Sequence, residues 1–262
     1  ASDNALVVLR SAAATLLLAV AALTASAGAA QPPPPQKLRV VGGLAGIHQY
    51  TRFEEPFWSR ELPRLSKGTL SADIVPFDRA GIMPGEMIRL VRLGVVAIGT
   101  AILVNATAED PELSALDLAG MSPDVATLRR SADALRPHFA RLLAERHGIE
   151  LLALYTYPAQ VTFCRKPLAS LAELAGRRVR VSSPTQADFV TALGAHPVQT
   201  AFADIVPSIG SGNLDCAITG TMSGNTIGLH EVTSHIHSMP VAWGISAVVA
   251  NRAAWSAIGP DG

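Results

Sequence analysis

The sequence has little of what marks a chemically specialised chain. Only two cysteines, Cys164 and Cys216, occur in 262 residues. That is too few for a disulfide-built scaffold, and the pair lacks the spacing of a zinc site. Whether the two join each other is left open. Neither charge is in excess, with 21 Lys and Arg against 21 Asp and Glu, so no overall basic field exists to hold nucleic acid or an anionic membrane. No internal repeat of roughly 20 to 50 residues recurs, which argues against a solenoid. His230, His235 and His237 cluster around Glu231 but lack the i, i+4 spacing of two helical metal ligands. No metal or cofactor is expected. Neither cysteine carries a local catalytic signature, so no catalytic residue is assigned and the chain does not read as an enzyme.

What is there begins with Arg10, an apolar run over residues 12–23 and then small residues including Ala25 and Ala27. This is the layout of a secretory signal peptide over residues 1–30, its apolar stretch well short of the ~20 residues that span a bilayer. Pro32 to Pro35 make residues 31–37 a stiff spacer. The remaining length suits two domains of roughly 100 residues each or one large α/β unit.

Along the mature chain, strand and helix patterns alternate, predicting an α/β architecture with a mainly parallel sheet. Strands are read over 38–43, 70–75, 95–103, 150–155, 178–181 and 214–218, and helices over 53–66, 84–93, 131–146, 171–174, 187–193 and 204–208. Residues 241–250 form an apolar run long enough to cross between domains. Arg180 stands near the exit of its strand, where ligands of open α/β sheets bind. Its guanidinium is a planar fork of donors that matches a carboxylate and stays charged at physiological pH. Residues Thr219-Gly220-Thr221-Met222-Ser223-Gly224-Asn225 add hydroxyls and an amide just past the last of these strands, as a loop suited to hydrogen bonding a ligand or as a plain turn.

Gly176-Arg177-Arg178-Val179-Arg180 is followed by Ala192-Leu193-Gly194-Ala195-His196-Pro197-Val198, then Phe202-Ala203-Asp204, then Gly212-Asn213-Leu214-Asp215. In this order and spacing the chain resembles the substrate-binding proteins of tripartite ATP-independent periplasmic (TRAP) transporters. Ser66-Lys67-Gly68-Thr69-Leu70, Val91-Arg92-Leu93-Gly94 and Leu116-Asp117-Leu118 also sit where such proteins carry similar segments. The resemblance implies a two-lobed periplasmic-binding-protein fold of type II, with a first lobe over 38–156, regained from 241 to 262, and a second over 157–240. It implies that the chain stops short of several C-terminal helices.

The resemblance further implies that Arg180 pairs with a ligand carboxylate, that Phe202 lines the cleft or packs in the core, and that Asp215 is structural. Two positions where many members carry an arginine and an asparagine fall near Gln160 and at Thr219, both uncharged here. With Thr221 and Asn225 as further candidates, the pocket suits a monocarboxylate or less charged ligand better than a dicarboxylate. The implied function is periplasmic capture of a small organic acid for the membrane subunits of a TRAP transporter. An exported enzyme or a ligand-sensing ectodomain acting on a small carboxylate are the alternatives.

Overall fold

The computed structural model describes residues 35–259. The expected signal peptide and most of the proline run lie outside the described residues. Strand β1 (Gln36–Gly42) sends Leu38 and Val40 to one side and Val41 to the other, so the sheet it starts is buried on both faces. With β2 (Leu70–Pro76), β3 (Ile98–Ile102), β4 (Ile149–Thr156) and β10 (Ile245–Asn251) it forms a sheet of order β2-β1-β3-β10-β4. On one face, α1 (Met87–Arg92) and α2 (Val125–His147) set Met87, Ile88, Phe139 and Leu143 against Val41, Ala101, Ala247 and Val249. On the other, Trp58 covers Leu38, Val40, Ile98 and Ala250.

A second sheet of order β7-β6-β8-β5-β9 joins β5 (Gln160–Cys164), β6 (Arg178–Val181), β7 (His196–Gln199), β8 (Cys216–Gly220) and β9 (His235–Ala242). One face packs Val179, Val181 and Ile218 against Val190 of α3 (Pro184–Ala192). The opposite face packs Val161, Phe163 and Ala217 against Ile205 and Ile209 of α4 (Ile205–Gly210). The β5–β8 register sets Cys164 opposite Cys216, and a fully buried disulfide joins them. Each sheet with its helices is one lobe of a two-lobed α/β fold. The chain passes between the sheets from Thr156 to Gln160 and from Ala242 to Ile245.

Four sequence expectations are corrected. The sheets are mixed rather than mainly parallel, since β10 runs antiparallel to β3 and β4, and β5 antiparallel to β8 and β9. Both strands enter straight from the other lobe, without the crossover helix that a parallel neighbour needs. The helix expected over 53–66 is instead two π-helical segments, Gln49–Glu54 and Phe57–Glu61, followed by one α-turn, Leu62–Leu65. Pro56 and Pro63 each remove an N–H from that helix, and wider turns carry the chain past such gaps. The helix expected from residue 131 starts at Val125, where the Asp124 carboxylate accepts from the Thr127 N–H at 2.7 Å. Last, residues 219–225 are the end of β8 and a short helix, α5 (Thr221–Thr226), not a loop.

Candidate functional site

Alternation along β6 buries Val179 and Val181 in the layer under α3 and turns Arg180 to the opposite face, level with Ala217 of β8 and Val198 of β7. Its side chain is only 5% exposed. Nε donates to the Thr200 carbonyl at 3.0 Å and Nη1 to the Ile218 carbonyl at 2.9 Å. Burial pulls its pKa down to about 10, and no neighbouring carboxylate opposes that pull among the described residues. It is still a cation at neutral pH. A desolvated charge held only by carbonyl dipoles is poorly compensated and attracts an anion strongly.

The two arginines beside it are already engaged. Arg177 donates to the carbonyls of Lys166 and Pro167. Arg178 grips Asp215 with Nε at 3.1 Å and Nη2 at 3.0 Å, and its backbone N–H donates to the same carboxylate. This partner holds the Asp215 pKa below the usual aspartate value. Asp215 therefore fastens the start of β8 to β6.

Thr219, two residues along β8 from Ala217, shares the face of Arg180 and is 2% exposed. Phe202, half-buried in a 3-10 turn, packs into the cluster of Val161, Phe163 and Ala217 on that same face. The structure thus brings Arg180, Thr219 and Phe202 to one side of one sheet. Gln160 lies on the other face, at the end of β5 opposite Gly220, where its amide donates to the Pro158 carbonyl at 3.1 Å. Thr221 and Asn225 are exposed on α5, away from the buried group. Where α5 reaches toward the first lobe, His48 Nδ1 lies 3.1 Å from Met222 Sδ. His235 and His237 are in β9 and His230 in a 3-10 turn, and no grouping of metal-ligating side chains occurs among the described residues.

The first lobe carries a buried polar cluster that the sequence reading missed. Glu54 Oε1 accepts from the Tyr155 hydroxyl at 2.6 Å, while Oε2 accepts from the Gly43 N–H at 2.7 Å and the Thr100 hydroxyl at 3.2 Å. Burial raises the pKa of Glu54 despite these three donors. A Cβ on Gly43 would come within 2.8 Å of Glu54 Oε1, 3.0 Å of the Tyr155 hydroxyl and 3.2 Å of the Tyr157 hydroxyl, so glycine is what lets these oxygens close on the end of β1. The available signal was position: Glu54 lies four residues from both Tyr50 and Trp58, on the helix face that should be apolar. A cavity of about 680 Å³, lined by Phe53, Glu54, Trp58, Tyr155, Trp255 and Ile258, lies beside that helix and includes none of the expected ligand residues.

Comparison with known proteins follows this geometry. The chain matches, at 26% identity over 120 residues, the ectoine-binding periplasmic protein TeaA of Halomonas elongata; the match takes in 45% of this chain and 35% of the relative. The matched stretch thus spans about a third of that curated relative's length. Among solved structures, DctP7 of Bordetella pertussis, a receptor binding pyroglutamic acid, superposes with a TM-score of 0.79 at 21% identity, over 86% of this chain and 74% of that one. A TRAP periplasmic solute-binding protein from a Sulfitobacter species with bound β-D-galacturonate gives 0.76 at 19% identity, over 86% and 75%. At these identities the structures speak to the fold. Family membership rests on the sequence profile described as bacterial extracellular solute-binding protein, family 7, which matches residues 51–261: this chain belongs to that family.

Proposed function

We propose that this protein is the periplasmic receptor of a TRAP transporter, which captures a small organic acid between its two lobes and delivers it to the membrane subunits. The observation that carries this reading is Arg180, a buried guanidinium with carbonyl partners and no carboxylate among the described residues. Similar proteins lend support, since their bound ligands include pyroglutamate, β-D-galacturonate and malonate. In this reading Arg180 takes the carboxylate, and Thr219 and Phe202 shape the pocket beside it. Gln160, on the opposite face of the second sheet, and Thr221 and Asn225, exposed on α5, are the less direct candidates. One fixed cation among neutral groups favours an acid with a single carboxylate. The first lobe runs over 38–156 and resumes beyond β9, the second runs from 157 to the end of β9 at Ala242, and residues 1–30 direct export.

The test is titration calorimetry with pyroglutamate, malonate and galacturonate as probes. Arg180→Met keeps the aliphatic bulk and removes the charge. It should weaken binding of whichever acid the wild type takes by roughly 30- to 100-fold, about 2–3 kcal/mol. Unchanged affinity in the variant would remove Arg180 from the site.

A further inference from the structure

Asp117 is 4% exposed and its carboxylate meets no cation among the described residues. It faces backbone instead: Oδ1 accepts from the Trp243 N–H at 2.6 Å and Oδ2 from the Gly244 N–H at 2.9 Å, with the Ile245 N–H also turned toward it. Successive N–H groups curled around one point make an anion site, and here the chain supplies the anion itself. Those three residues are the second passage between the lobes. Gly244 has φ +64°, and a Cβ there would press on the Tyr157 ring at 3.2 Å, so this passage also abuts the first.

The same short stretch reaches into both lobes. The Asp117 carbonyl accepts from the Thr185 hydroxyl of α3 at 3.2 Å, and α3 directly follows the strand that bears Arg180. Ala119 packs into the second lobe's core while Trp243 packs into the first lobe's. The Gly120 N–H donates to the Val241 carbonyl and the Trp243 indole to the Ser122 carbonyl. We propose that Asp117 is the positioning residue of the hinge, its carboxylate fixing the Trp243–Gly244 passage while its backbone holds α3, so that one residue sets the angle between the lobes. The functional meaning of that angle rests on the receptor reading above; the geometry does not.

The experiment uses the full chain and no ligand, so its outcome is independent of whether Arg180 binds an acid. Nitroxide labels are placed through Arg79→Cys and Thr226→Cys, exposed positions in the first and second lobes. Pulsed electron–electron resonance then gives the distribution of inter-lobe distances. Asp117→Asn, which turns an amide donor toward the N–H groups, should broaden and shift that distribution. Thr185→Val, which removes only the tie to α3, should shift it in the same direction by less. Hydrogen exchange around Phe139 in α2 should be unchanged in both, as a merely structural role would not allow. A wild-type distance distribution in Thr185→Val, or faster exchange throughout both lobes, overturns the proposal even if Asp117→Asn fails to fold.

Discussion

At the scale of single residues, the carboxyls divide by the sign of their response to pH. Burial raises the pKa of Glu54, so the fold favours its protonated form. Its contribution to stability is fully present below the ordinary glutamate range and is lost as pH rises through the raised folded value. Asp117 has the same sign for the same cause. Asp110 and Asp215 have the opposite sign, lowered by Arg146 and Arg178; their contributions exist above the ordinary aspartate range and fade as pH falls. Glu54→Gln keeps the shape and lets Tyr155 turn from donor to acceptor. In urea denaturation from about pH 4 to about pH 8, the variant should gain stability relative to wild type as pH rises. A difference that stays flat with pH would show that Glu54 titrates as it does in the unfolded chain. The strand that carries Arg180 was legible in the sequence, from the glycine stop before it and its valines. Glu54 was not, because the helix that buries it is wound as π turns with Pro56 inside the stretch.

At the scale of elements, both edge strands of the first sheet, β2 and β4, were readable, while in the second sheet the interior strand β5 and both edges were not. β6 and most of β8 announce themselves by their apolar residues, whereas β7 and β9 are the two edges of the second sheet. β7 contains Pro197 and is mostly exposed, and β9 begins with His235 and exposed Ile236. These two edges escape the burial pattern that period-2 reading depends on. α5, six residues with no apolar stripe, is held by Gly224 lying against the Phe163 ring, a tertiary contact with no local signature. The Cys164–Cys216 disulfide was undecidable for the same reason, since their meeting depends on β5 pairing with β8. That bridge closes 52 residues. Replacing both cysteines by Ala should therefore destabilise the protein by about 2–4 kcal/mol, read as a lower urea midpoint, with hydrogen exchange rising first in the second lobe. An unchanged midpoint would mean that β5–β8 pairing alone holds that sheet.

At the scale of the whole molecule, the two lobes are joined by two short passages, which the proposed hinge makes the pivot of their mutual angle. A ligand that contacts both faces stabilises whichever angle lets it do so. An acid that raises the melting temperature identifies itself as native-state ligand, and at about 100 times its Kd the gain should be about 2.7 kcal/mol. Small-angle scattering should then show a smaller radius of gyration in its presence, and Arg180→Met should show neither effect. A melting shift without compaction would indicate capture by one lobe alone.

The spatial order of the first sheet carries a different consequence. β10 lies between β3 and β4, although it follows every other described strand in sequence. As the polypeptide emerges N-terminus first, the second sheet has all its described strands once Ala242 is out. The first still has an open slot, flanked by two strand edges with unpaired backbone groups, until Asn251 follows. Among the described strands, the sheet begun first thus closes after the second, and the residues that close it arrive directly after the Trp243–Gly244 turn.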